Sequence, residues 1–165
     1  MNLVEQRVID FVAATASKEP TPGGGAIAAL TGATGAALAE MVANLTFGKK
    51  GYEEVQSEME ELQTKAEAIR NRMLELSQAD ADAIQQAYKD AAMVPFEIGE
   101  LAYQIFDLAE LASKKGNQNL ITDGIIAAIN ARAAVKAAFL NVRINLSGIK
   151  DEAFVANVSA KMNAI

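Results

Sequence analysis

Apolar residues recur at helical spacing from the start of the chain. Leu3, Val4, Val8, Phe11 and Val12 are separated by Glu5, Arg7 and Asp10, the pattern of a first amphipathic helix. "ASKEPTPGGG" interrupts it with two prolines and three consecutive glycines. A second helix is predicted to start at Gly24 or Gly25 and to run to about Phe47. Its bulky residues, Ile27, Leu30, Leu38, Met41, Val42 and Leu45, cluster on one side. Gly24, Ala28, Gly32 and Ala36 form a small-residue row at i, i+4 spacing. "TFGKKG" ends this helix with glycines and lysines, which suit a helix C-terminus.

Residues 52–78 are charged and periodic, with Val55, Met59, Leu62, Ala66, Ile69, Met73 and Leu76 as the apolar stripe of a long helix with one face in water. Helical character continues from Asp80 to Met93. Val94-Pro95 predicts a break, because a residue before proline avoids the α region. A further helix is expected over 96–114, ending at "KKGNQN", and Thr122 or Asp123 is expected to cap the next one. That helix, "DGIIAAINARAAVKAAFLNVRINL", is alanine-rich and predicted to be buried. A short last helix follows from Asp151. No stretch reads as a strand and no linker divides the chain. The expected fold is all-α: one helical domain over 1–165, a bundle with two buried, small-residue-rich helices at its centre. The run from Thr21 to Ala39 is long enough to cross a bilayer, but it carries only three large aliphatics, so a buried helix is the expectation.

Composition narrows the chemistry. Hydrophobic residues make up 51% of the 165 but aromatics only 5%, which suits helices packed closely through alanine. Cysteine and histidine are both absent, which excludes disulfides, thiol catalysis, Ser-His triads and zinc sites built on His or Cys. Any general acid or base must then be a carboxylate, a lysine or a tyrosine. The net charge of −6 argues against a nucleic-acid partner. "MNLVEQRVIDFV" carries Glu5 and has no apolar h-region, so no secretory signal is expected, and the lack of cysteine fits the cytoplasm.

Three features could carry function. Three glycines before a helix make either a plain turn or a place where bare N–H groups meet an anion or a carbonyl-like oxygen. The pattern G-x-x-x-x-G-K-[ST] is missing, so a nucleotide P-loop is not supported. Asp123, Asn130, Asn141 and Asn145 lie on about the same face of their helix. They either hydrogen-bond backbone ends of neighbouring helices or form the polar wall of a ligand cleft. Lys49-Lys50 is either a solvated pair or a holder of ligand carboxylates. Asp80 and Asp82 read as surface charges on a helix.

Taken together, "PTPGGGAIAALTGATGAALAEMVANLTFGKKGYEEV", "GNQNLITDGIIAA" and "NVRINLSGIKDE" resemble the cyclodeaminase/cyclohydrolase family of folate enzymes. The family includes formiminotetrahydrofolate cyclodeaminase and a methenyltetrahydrofolate cyclohydrolase. The resemblance covers nearly the whole chain and implies an all-helical homodimer with a folate cleft at or near the subunit interface. By position, Pro22, Gly23, Gly24 and Gly25 match the family's glycine turn, and Lys49 and Lys50 its basic pair. Asp80 matches an aspartate late in the long third helix. Asn117 and Asp123 match a G-N…[ST]-D segment, and Asn141 and Asn145 its N-V-x-I-N-L. Two departures stand out. "ADADA" runs directly into "AIQQAYKDAAMVP", where the family normally has an additional helical stretch. Family members also usually continue with another long helix beyond the position of Ile165.

The resemblance implies chemistry through a tetrahedral carbon between two nitrogens. In cyclodeamination, N10 of tetrahydrofolate attacks the formimino carbon on N5 and ammonia leaves. In cyclohydrolysis, water opens the methenyl cation to 10-formyltetrahydrofolate. Asp123 or Asp80 is expected to be the carboxylate that stabilises the cation and shuttles protons. Asn141 and Asn145 are expected to meet the pterin edge, and Lys49 or Lys50 the glutamate tail. No cofactor or metal beyond the tetrahydrofolate substrate is implied, and no membrane or nucleic-acid partner. The rival expectation is a non-catalytic helical binding or assembly protein that retains the fold.

Overall fold

The computed structural model describes residues 3–83 and 88–165. Helix α1 spans Val8–Thr15, α2 Gly24–Asn44, α3 Gln56–Ala83, α4 Tyr88–Lys115, α5 Ile121–Ser147 and α6 Glu152–Asn163, with one-turn 3-10 segments before α1, α3 and α5. Among the described residues there is no strand, as the all-α expectation required.

The four long helices run up-down-up-down. Glu40 near the end of α2 pairs with Arg70 in the middle of α3, and Glu58 at the start of α3 pairs with Lys115 at the end of α4. Helix α2 is central because it is thin. Eleven of its residues are buried, and ten of these are alanine or glycine. A Cβ at Gly32 would come within 2.7 Å of the Met73 methyl group, and one at Gly35 within 3.1 Å of the Ala127 carbonyl. The missing side chains therefore set how closely α3 and α5 approach α2. A second core joins Phe96 of α4, Phe139 and Val142 of α5, and Val158 and Met162 of α6. Phe96 and Phe139 stack with ring centroids 6.2 Å apart.

Helix α5 departs from the expectation of a buried helix. It packs through Ala127, Ala131, Ala134 and Ala138, each fully buried, while Ile129, Leu140 and Ile144 are 59%, 60% and 73% exposed. Small residues permit the close approach to α2, and the isoleucines and Leu140 are turned outward. Both α2 and α5 are long and apolar enough to cross a membrane by length and composition alone.

Three other expectations are corrected. The first amphipathic helix is a 3-10 turn at Leu3–Glu5 followed by α1, and of its apolar stripe only Leu3 and Phe11 are buried. Helix α4 continues through Pro95 instead of breaking there. Neither Thr122 nor Asp123 caps α5: the segment is capped by Asn117, whose side chain accepts from the Asn119 N–H at the preceding 3-10 turn. Helix α6 does begin as expected, with Asp151 accepting from the Phe154 N–H at 3.0 Å. The junction of "ADADA" with "AIQQAYKDAAMVP" lies partly outside the described residues.

Gly99 tests the α4–α5 contact. A Cβ there would overlap the Phe139 ring. Gly99→Ala is expected to cost about 1–3 kcal/mol in chemical denaturation, as overpacked cores do. The added substitution Phe139→Leu should recover part of that loss, whereas strictly additive losses would show that the ring is not what Gly99 accommodates.

Candidate functional site

The predicted site residues fall at two poles of the bundle. The first is the N-terminus of α2. Pro22 is buried, the Thr21–Pro22 peptide is cis, and Gly23 is the N-cap with extended backbone and no side chain to cap the helix. The free amides here find a carboxylate from another helix. Asp80, late in α3, accepts the Ala26 N–H. Its carboxylate fills the space where a Cβ of Gly25 would be, so the glycine is what admits it. From the preceding turn of α3, the buried Ser77 hydroxyl donates to the Ala26 carbonyl at 3.2 Å. The same residue is thus gripped on both sides by α3. From α5, the Asn141 side chain reaches the same turn. A Cβ at Gly24 would lie 3.2 Å from Asn141 Nδ2, and that amide donates to Ala137 of its own helix at 2.9 Å.

Burial raises the Asp80 pKa above its ordinary 3.8, and the Ala26 N–H pulls the other way. Desolvation is the larger influence, so this carboxylate binds its proton more tightly than a surface aspartate does. The helix N-terminus supplies positive potential beside it. Asp82, two positions on, is exposed and accepts from Gln78 at 2.9 Å. Leu3 and Phe11 pack with Ala26 next to this pole and shield one flank of it.

The second pole lies at the other end of α2. Lys49 donates to the Asn117 side-chain oxygen, and its ammonium stands 5.4 Å from the Tyr52 ring centroid. Asn117 is buried and heavily bonded. Its N–H donates to Thr46 Oγ1 at 2.9 Å, its Nδ2 donates to the Leu45 carbonyl at 3.1 Å, and its oxygen also accepts from Asn119. Asn117 therefore joins the end of α2 to the start of α5, rather than standing ready for a ligand. Lys50 is exposed, and Asp123 is half-exposed on the first turn of α5. Asn117→Ala is expected to destabilise the fold by about 2–3 kcal/mol, because buried partners lose their bonds together. Equilibrium denaturation measures this, and a loss below about 0.5 kcal/mol would contradict it.

Eighteen residues of continuous helix separate Asp123 from Asn141, which is about 27 Å at 1.5 Å per residue. The asparagine face is correspondingly divided in its duties. Asn130 reaches Thr34 of α2 at 3.3 Å, Asn141 lies against the glycine turn, and Asn145 donates to the Ala91 carbonyl of α4 at 2.6 Å. Neither of two surface cavities, about 680 and 490 Å³, is lined by the glycine turn, Asp80 or Asn141. The larger adjoins Tyr52 and Gln118 at the second pole. Sequence reasoning missed Ser77, Thr46 and Tyr52. The first two are buried polar residues on apolar faces, and Tyr52 accepts the Gln118 N–H at 2.9 Å. Only a polar residue at a core position of the helical pattern could have marked Ser77 and Thr46.

An all-helical bundle in which an aspartate from one helix occupies the glycine-opened N-terminus of another defines the class of this protein. The chain belongs to the formiminotransferase-cyclodeaminase family, which it matches in two stretches, residues 7–84 and 80–164. The two stretches overlap at residues 80–84. The chain is 37% identical to methenyltetrahydrofolate cyclohydrolase of Methylorubrum extorquens over 87% of its own length and 81% of that protein. It is 26% identical to formimidoyltransferase-cyclodeaminase of Rattus norvegicus over 98% of its length, and it spans about a third of that longer protein, 35%. The crystal structure of formiminotetrahydrofolate cyclodeaminase from Thermotoga maritima superposes with a TM-score of 0.91 at 33% identity. That superposition covers 98% of this chain and 89% of the other.

Proposed function

We propose that this chain is a folate-dependent one-carbon enzyme that handles 5,10-methenyltetrahydrofolate. That compound is the product of cyclodeamination and the substrate of cyclohydrolysis, so it is common to the two activities named among the relatives. The observation that carries the site assignment is Asp80 set against the N-terminus of α2, next to Asn141. A carboxylate there stabilises the amidinium-like methenyl cation and takes or returns the proton as the tetrahedral carbon forms and collapses. Its raised pKa suits a group that must exchange protons nearer neutrality. Asn141 offers a donor and an acceptor to the pterin edge. Gly23 and Gly24 let the ring approach the backbone, with Pro22 fixing the turn. The tetrahydrofolate substrate supplies the chemistry, with no further cofactor.

Asp123 and the Lys49-Lys50 pair belong to this reading through a second copy of the chain. About 27 Å within one chain is too far for Asp123 to join Asp80 on a single reacting carbon. Two α5 helices packed antiparallel through their exposed isoleucine faces carry the Asp123 end of one chain toward the Asn141 end of the other. Such a homodimer covers the apolar surface of Ile125, Ile126, Ile129, Leu140 and Ile144. The lysines are then placed for the glutamate tail. The enzyme is read as cytoplasmic, a single domain, a lyase or hydrolase, acting on a small molecule and not on nucleic acid or within a membrane.

One preparation tests both activities. Methenyltetrahydrofolate is followed by loss of its near-ultraviolet absorbance, and 5-formiminotetrahydrofolate by release of ammonia. Turnover of either supports the reading, and the one turned over settles lyase or hydrolase. Tight binding of methenyltetrahydrofolate without turnover would establish instead a non-catalytic protein that kept the fold. Light scattering at assay concentration tests the dimer, and a fully active monomer would end the composite site.

A further inference from the structure

Proline supplies no amide hydrogen, so inside a helix it leaves the carbonyl four residues earlier without its usual donor, and its ring pushes that carbonyl outward. Pro95 lies within α4 and is fully buried, so water is a poor substitute on that side of the helix. The carbonyl deprived of its donor is that of Ala91. It is the one that receives Asn145 Nδ2 of α5, at 2.6 Å. We propose that Asn145 is a positioning residue which stands in for the amide hydrogen missing at Pro95 and so locks the first turns of α4 to the end of α5. This differs from the pterin-edge contact that the family resemblance implies for it, since one of its two amide hydrogens is already committed to the Ala91 carbonyl.

The neighbouring contacts explain why this lock matters. Phe96, directly after Pro95, stacks on Phe139 of α5, and Gly99, one turn on, lies flat against the same ring. Proline, aromatic pair and glycine together set the spacing of α4 and α5. One turn before Asn145 on α5 stands Asn141, against the glycine turn. The outward carbonyl at Ala91 gives α5 a fixed point on α4, and Asn141 is held at the turn by the helix so anchored. For its effect on turnover this inference rests on the folate reading; for the interaction itself it does not.

A double-mutant cycle tests it. Asn145→Ala in the parent chain is expected to lower the thermal midpoint by about 3–8 °C, the usual yield of losing a half-buried donor in a chain of this size. Pro95→Val restores the amide hydrogen in a side chain of similar bulk, and in that background the same Asn145→Ala change should cost less than half as much. Pro95→Ala serves as a second background should the valine variant fail to fold. Turnover should drop roughly tenfold in the Asn145→Ala chain, through kcat with KM within about twofold, and should partly return when Pro95 is also replaced. An equal midpoint loss with and without Pro95 overturns the proposal. So does a rise in KM in both backgrounds at an unchanged midpoint, which would mark Asn145 as a substrate ligand. If the parent chain shows no turnover, the folate reading fails while the midpoint cycle still decides this one.

Discussion

Asp80→Asn is expected to cut turnover at least about a hundredfold, the usual yield of a positioned acid–base group, and at the same time to raise the unfolding midpoint at neutral pH. The two effects share one cause. Burial raises the Asp80 pKa above 3.8, so the charged carboxylate is less at ease in the fold than in the unfolded chain. The resulting penalty is fully present above the folded-state pKa. It fades as pH falls through that value, and it vanishes below 3.8, where both states hold the proton. Asparagine has no charge to desolvate, and its side-chain oxygen still accepts from the Ala26 N–H. The stability advantage of the variant should therefore be largest near pH 7 and shrink to nothing toward pH 3. Thermal unfolding of both proteins across that range reads it. A folded Asn variant with full turnover would end the acid–base role, and an advantage that grew on acidification would reverse the desolvation account.

Gly25→Ala should be nearly as damaging to activity by a purely steric route. The new methyl group would overlap all three carboxylate heavy atoms of Asp80. Either the aspartate turns away from the Ala26 N–H, or α3 shifts from α2 through the closely packed row at Gly32 and Met73. A cost of about 1–3 kcal/mol in stability follows from overpacking, with a turnover loss of the same order as Asp80→Asn. Adding Asp80→Ala removes the clash, so the double variant should regain the midpoint but not the turnover. Gly24→Ala is the control. Its Cβ would meet Asn141 Nδ2 at 3.2 Å, a side-chain end that can yield a few tenths of an ångström, and its stability loss should be small. Loss of activity in Gly25→Ala with Asp80 still bonded to Ala26 would show that the turn serves the substrate directly.

The division between the two poles explains why the candidate residues looked like one site along the sequence. Asp123, Asn141 and Asn145 share a helix face, and periodicity alone suggests that they work together. Periodicity reports direction around an axis and is blind to rise along it. Only the length of α5 reveals that Asp123 stands at the opposite end of the bundle from Asn141 and Asn145. The same limit applies to Asn117 and Lys49. They are distant in sequence yet bonded to each other, and Asn117 is held by the backbone at the end of α2.

The amino-acid sequence by itself determined the helical class, the thin central helix and the opening at its N-terminus. Those depend on local facts: alanine and glycine lack side-chain bulk, proline and glycine stop helices, and the stripe of α3 repeats with the helix period. Tertiary structure decided what local facts cannot reach. It put Asp80 in the space left by Gly25, turned the isoleucines of α5 outward, and let α4 pass through Pro95. The last case shows the physical reason most plainly. A proline breaks a helix when the carbonyl it orphans has nowhere to go. Here an asparagine fifty positions away in sequence supplies the donor, and no pattern within α4 could have announced it.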